Sequence, residues 1–163
     1  ALTNLCKPTG TEMFTTLTPK SYLVKLCNYN VVLVDTIGFI KNIPLEIIEA
    51  FKAVLEEINS SDIVSLVVDG SRPLDRLERE VRTDLDVLKD IGCTAKPTVV
   101  ALNKVDAVKD GVKSRIELVK DIAGEYHIPL INIVPVSALN RTNIRELKES
   151  LCRAVELLQK SST

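Results

Sequence analysis

Short runs of valine, isoleucine and leucine punctuate this chain at Tyr22 to Cys27, Asn30 to Asp35, Ile63 to Asp69, Pro97 to Asn103 and Leu130 to Ser137. Each is bounded by polar residues or glycine, and each is too short for a helix of ordinary length, so each reads as a strand. Only Asn28 and Tyr29 separate the first two, a hairpin spacing that implies an antiparallel pair. Between the others lie longer segments of helical periodicity. Ile47, Phe51, Val54 or Leu55, and Ile58 share one face, with Pro44 suited to a first turn. Leu77, Val81, Leu85 and Leu88 form a second stripe, and Val112, Ile116, Val119 and Ile122 a third. The last opens at Asn143 with Glu146 three residues on, a capping pattern, and continues through Ile144, Leu147, Leu151, Val155 and Leu158. Strands that alternate with amphipathic helices after one hairpin predict an α/β fold of three layers: a mostly parallel sheet with an antiparallel edge hairpin, covered on both faces.

With 163 residues and 45% hydrophobic content, the chain has material for one domain with a sizeable core, expected over 1–163. Its 21 Lys and Arg offset 22 Asp and Glu, so there is no bulk positive charge to drive non-specific binding of nucleic acid or an anionic membrane. The four cysteines, Cys6, Cys27, Cys93 and Cys152, make no C-x-x-C pair and have no histidine nearby, which predicts packed thiols in place of a zinc site or disulfide framework. No apolar run approaches the ~18 residues of a membrane span and no signal-peptide pattern opens the chain, so a cytoplasmic setting is expected. The single histidine, His127, has no partner cluster and is read as structural or solvated.

In an open α/β sheet the loops at the carboxyl ends of the strands gather in one crevice, where polar residues converge on a ligand. Three strand ends carry chemistry of this kind. The first is Asp35, Thr36, Ile37, Gly38: the carboxylate is placed to hold a water on Mg²⁺ and the Gly38 N–H to meet a terminal phosphate. The spacing alone is weak, because Asp121, Ile122, Ala123, Gly124 repeats it at the end of a helical stripe, where Gly124 reads as a C-cap. The second is Asn103, Lys104, Val105, Asp106, directly after a strand. A carboxylate at Asp106 can accept from N1 and N2 of guanine, donors that adenine lacks; the Lys104 stem can lie along the ring, and Asn103 can tie neighbouring loops. The third is Ser137, Ala138, Leu139, where a backbone N–H near Ala138 suits the guanine O6. Upstream, the loop Phe14 to Pro19 offers a threonine hydroxyl to a metal.

Taken in order, Asp35 to Gly38, Asn103 to Asp106 and Ser137 to Leu139 resemble the motifs of translation-factor-type GTPases. Phe14 to Pro19, Asp35 to Ile40, Pro44, Glu49 to Phe51 and Leu55 to Glu57 are similar to the HflX family of ribosome-associated GTPases, and the similarity covers nearly the whole chain. The resemblance implies a P-loop GTPase-like domain that binds GTP and hydrolyses it to GDP and phosphate. Thr16 and Gly38 would serve catalysis, and Thr16 and Asp35 would hold Mg²⁺. Asp35, Gly38, Asn103, Lys104, Asp106, Ser137, Ala138 and Leu139 would contact the nucleotide. It also implies the large ribosomal subunit as partner, with neither membrane nor DNA involved. Many GTPases place a glutamine after the glycine to orient the attacking water; here the residue is Phe39, which predicts slow intrinsic hydrolysis until another group orders that water.

A phosphate chain ordinarily needs a Gly-x-x-x-x-Gly-Lys-Ser/Thr loop, and none of the six glycines here precedes a lysine. Ala1 to Asn4 look like the residues that follow such a loop in HflX-like proteins, so the domain is expected to be incomplete at its amino end, without its first strand and phosphate loop. Missing apolar cover at ~1.5 to 3 kcal/mol per side chain would rival a domain's whole stability of ~5 to 15 kcal/mol. The alternative is a non-catalytic interaction module that keeps the GTPase scaffold and has lost the phosphate loop.

Overall fold

The computed structural model describes residues 20–36 and 55–161. The chain divides into two compact units, Ala1–Ser61 and Asp62–Thr163. In the first, β1 (Lys20–Leu26) pairs antiparallel with β2 (Tyr29–Asp35), from Lys20 opposite Asp35 to Leu26 opposite Tyr29. The expected hairpin is present, but its turn is Cys27 and Asn28, one residue earlier than the apolar run suggested. Tyr29 is already paired, and Cys27 takes the positive φ of 54° that reverses the chain. Residues 55–60 are helical, in line with the end of the first stripe; Ile47, Phe51 and Val54 lie outside the described residues.

The second unit alternates strictly: β3 (Val64–Asp69), α1 (Leu74–Asp90), β4 (Thr98–Asn103), α2 (Val112–Glu125), β5 (Leu130–Pro135) and α3 (Ile144–Ser161). Its strands form a parallel sheet in the order β3-β4-β5, with β4 central. Among the described residues the hairpin and the parallel strands make two separate sheets. Both crossovers step the same way across the sheet, so right-handed connections put α1 and α2 on one face, where they pack together. α3 packs on β4 and β5, and β4 is buried on both faces through Val99, Val100, Ala101 and Leu102. A strand covered twice has no polar alternation to keep, hence its unbroken apolar run.

The α1 stripe is buried along its whole length, at Leu77, Val81, Leu85 and Leu88. Val119 and Ile122 anchor α2, and Leu147 and Leu151 anchor α3. Helix ends departed from expectation. Gly124 is not a cap: α2 runs on to Glu125, and His127, at φ 55°, takes the left-handed position instead. There the His127 N–H donates to Gly124 O and the Ile128 N–H to Ala123 O, closing the helix. Asn143 does not adopt the extended conformation of an N-cap: its φ is 56° and its side-chain amide donates to Pro135 O at 2.8 Å, tying α3 back to β5. Of the cysteines, Cys93 is a buried free thiol as expected. Cys27 and Cys152 are not free thiols, a correction, since sequence spacing sees only near neighbours. Among the described residues no helix is long and apolar enough to cross a membrane.

Candidate functional site

Because β3, β4 and β5 are parallel, their carboxyl ends lie along one edge, with Asp69 opposite Asn103 and Leu102 opposite Pro135. The loops leaving that edge are stitched together. Val136 N–H donates to Leu102 O at 2.8 Å, and Val105 N–H donates back to Val136 O at 3.2 Å. Asn103 Oδ1 accepts the Ala138 N–H at 3.1 Å, which joins the Asn-Lys-x-Asp loop to the Ser-Ala-Leu loop, as the role read for Asn103 requires. Ser137 is buried; its backbone bridges Thr142 and its hydroxyl accepts the Asn140 N–H at 3.0 Å. That tight loop pushes Ala138 and Leu139 outward, Leu139 to 83% exposure.

Lys104 turns the chain out of β4 with a left-handed backbone, φ 63° and ψ 32°, into a single 3-10 turn of Val105–Ala107. Asp106 sits in that turn with its side chain in solvent. The site therefore offers an exposed carboxylate, a long cationic stem and an apolar tip on adjoining loops.

Sequence reasoning missed the residues that brace this edge. Asp69 ends β3, and its Oδ1 accepts from the Ser71 N–H at 3.0 Å and the Ser71 hydroxyl at 2.6 Å. Its Oδ2 accepts from Lys104 Nζ at 2.8 Å. Arg72 Nε stands 3.3 Å from the same oxygen, an ion pair without hydrogen-bond alignment. Burial alone would raise the Asp69 pKa, but the bonds from Lys104 and Ser71 outweigh it and hold the carboxyl below its usual range. Gly70 N–H donates to Asn103 O at 2.7 Å, and a Cβ there would lie 2.9 Å from that oxygen, so only glycine permits the approach. From α2, the Arg115 guanidinium donates to four carbonyls: Gly70 at 2.8 Å, Arg72 at 3.3 Å, Asp110 at 3.2 Å and Gly111 at 3.0 Å. Asp69 was visible as a strand-end carboxylate followed by glycine and serine, a signal like that at Asp35. Arg115 left no sequence trace, because its partners are backbone atoms far along the chain.

Of the sequence-derived site residues, Asn103, Lys104, Asp106, Ser137, Ala138 and Leu139 share this edge. Asp35 stands at the carboxyl end of β2 in the first unit, half-buried. Thr16, Gly38 and Phe39 lie outside the described residues.

A parallel sheet that carries these two loops at its carboxyl edge, in this order, is the architecture of an α/β domain of the GTPase class. The chain belongs to the family of 50S ribosome-binding GTPases, whose family model matches residues 1–104. Within that class it is similar to GTPase HflX of Saccharolobus solfataricus, 35% identical over 151 residues, 93% of this chain and 42% of that protein. GTPase HflX of Hyperthermus butylicus is 38% identical over 159 residues, 97% of this chain and 42% of its own length. Among solved structures, a GTP-binding protein from the hyperthermophilic archaeon Sulfolobus solfataricus, in complex with GDP, is 34% identical with a TM-score of 0.79; the match covers 86% of this chain and 45% of that one. The chain thus spans less than half the length of these relatives, and the resemblance to HflX read from the motifs stands.

Proposed function

We propose that this chain is the GTPase domain of an HflX-like ribosome-associated protein, binding GTP and hydrolysing it to GDP and phosphate. The observation that carries the reading is the Asn103 Oδ1 to Ala138 N–H bond, which sets the Asn-Lys-x-Asp and Ser-Ala-Leu loops side by side with Asp106 open to solvent. In this role Asp106 accepts from guanine N1 and N2, and the stem of Lys104 lies on the ring face. The Ala138 N–H, already given to Asn103, would be shared with the guanine O6 as a bifurcated donor. Leu139 covers an edge of the base.

Asp35 and Thr16 supply hard oxygen donors of the type Mg²⁺ prefers, and Asp35 is half-exposed at a strand end. Bound there, the ion would neutralise charge on the phosphates. Gly38 would donate its N–H to the terminal phosphate. With Phe39 where a water-orienting glutamine is common, hydrolysis is slow until a partner, the large ribosomal subunit, orders the site. The domain is taken as 1–163, acting in the cytoplasm with no membrane or DNA. The guanine-specific layout favours this reading over a module that has lost nucleotide chemistry.

The test is titration of fluorescent GDP and ADP into the full-length protein and its Asp106→Ala variant. A preference for GDP of at least tenfold is expected, falling toward parity in the variant because a bidentate contact to a base edge is worth about 1–3 kcal/mol. Equal affinity for GDP and ADP in the unsubstituted protein would sink the proposal.

A further inference from the structure

We infer that Asp69 is a positioning residue for the nucleotide site: its carboxylate holds the Lys104 ammonium so that the lysine stem is laid out in advance along the floor on which a purine would rest. The inference rests on the guanine-binding reading above and adds to it a residue outside the three motifs.

Three features of the geometry carry it. Asp69 is itself fixed. Ser71 grips one oxygen through both its N–H, at 3.0 Å, and its hydroxyl, at 2.6 Å. The next residue, Gly70, is locked to Asn103 O at 2.7 Å, with no space for a side chain, so the end of β3 cannot slide along the end of β4. Second, the other oxygen is given to a residue 35 positions away, Lys104 Nζ at 2.8 Å, and only 16% of the Asp69 side chain is exposed against 58% for Lys104. The carboxylate is the anchor and the lysine the element being held. Third, Lys104 keeps a left-handed backbone, a conformation unfavourable for a side-chain-bearing residue and retained where the surroundings enforce it. Backbone and ammonium are therefore both pinned, and what lies between them is the flexible apolar stem.

A stem already ordered before binding spares the ligand the entropy of ordering it. Since the contact is with a ring face, which every purine has, Asp69 should govern how tightly a nucleotide binds and not which base is chosen. A merely structural role would behave otherwise: a loosened strand end would disturb Asp106 as well, and base preference would fall with affinity.

The experiment is a double-substitution cycle in the full-length protein, with Asp69→Asn, Lys104→Met and the pair together, reading the dissociation constants of fluorescent GDP and ADP. Asp69→Asn is expected to weaken GDP by about threefold to tenfold, the size of a half-exposed charge-assisted contact, and to leave the GDP/ADP ratio unchanged. The pair should bind no more weakly than Lys104→Met alone. Ser71→Ala, which removes one anchor from Asp69 without touching its charge, should give a smaller loss in the same direction and serves should Asp69→Asn not fold. Wild-type affinity in both Asp69→Asn and Ser71→Ala, losses that add independently of Lys104, or a collapse of the base ratio would each overturn the inference while leaving the guanine-binding reading intact. Failure of the unsubstituted protein to prefer GDP would remove that reading, and this one with it.

Discussion

Glycine at position 70 is required by close approach, glycine at 92 by the sign of its φ, and at 127 a histidine occupies a backbone that glycine would accept more cheaply. Adding a methyl at Gly70 drives it into Asn103 O and the Leu102 side chain. Gly70→Ala is therefore expected to cost about 1–3 kcal/mol in urea unfolding and to weaken nucleotide binding by shifting Asn103. At Gly92 there is open space around the missing Cβ, so only the left-handed conformation opposes a substitution. The same conformation at His127 costs about 1–2 kcal/mol for a side-chain-bearing residue, against roughly 0.5–1 kcal/mol of chain entropy that glycine adds to the unfolded state. His127→Gly should accordingly stabilise the protein by roughly 0.5–1 kcal/mol, measured by denaturant midpoint. Asp84 is a different kind of strain: burial, with Glu80 adding repulsion, pushes its pKa up to about 7. Its folded pKa lies above the usual carboxylate value, so ionisation opposes folding. The penalty is absent below about pH 4, grows as pH rises toward 7 and is complete above it. Asp84→Asn should raise stability on the order of 2 kcal/mol at pH 8, with the gain gone near pH 4, as read by melting temperature across that range.

The helices owe their place to one buried stripe each, and α1 shows the clearest case. Leu77, Val81, Leu85 and Leu88 recur at helical spacing and are all but inaccessible. Leu77→Ala is expected to cost about 2–5 kcal/mol by chemical denaturation, because a packed interior closes only partly over the space left. The outer face of α1 carries the pairs Arg79–Asp75, Arg76–Glu80 and Arg82–Glu78, all between residues four apart. Exposed pairs of this sort contribute little. The link that matters for the site is Arg115, which reaches from α2 to backbone carbonyls on two loops. Arg115→Ala should leave the core intact and speed amide exchange at Gly70 and Ser71, with a loss of about 1–2 kcal/mol as carbonyls exchange a charged donor for water. Unchanged exchange there would show that the clamp is dispensable.

For the molecule as a whole, the apolar runs and the 3.6-residue stripes were enough to read strands, helices, the hairpin and the α/β class, because burial on one or two faces writes its period directly into the chain. The placing of the Asn103 to Asp106 and Ser137 to Leu139 loops at neighbouring strand ends was legible for a related reason: each follows directly on an apolar run whose length marks where the strand stops. Other features followed rules that leave no linear trace. Gly124 looked like a cap, but α2 ended where its Val119 and Ile122 face ran out, and His127 was left with the left-handed turn. Asn143 looked like an N-cap, but the carbonyl of Pro135 lay within reach and took its amide. Asp69, Lys104, Gly70 and Arg115 are scattered over some forty-five positions, and their meeting depends on the parallel register of β3 with β4 and on α2 packing back across them. Periodicity and motif chemistry act between neighbours in the chain, so they could be read in advance. The bracing of the strand-end edge arises from contacts across the sheet, which exist only once the strands have been set side by side.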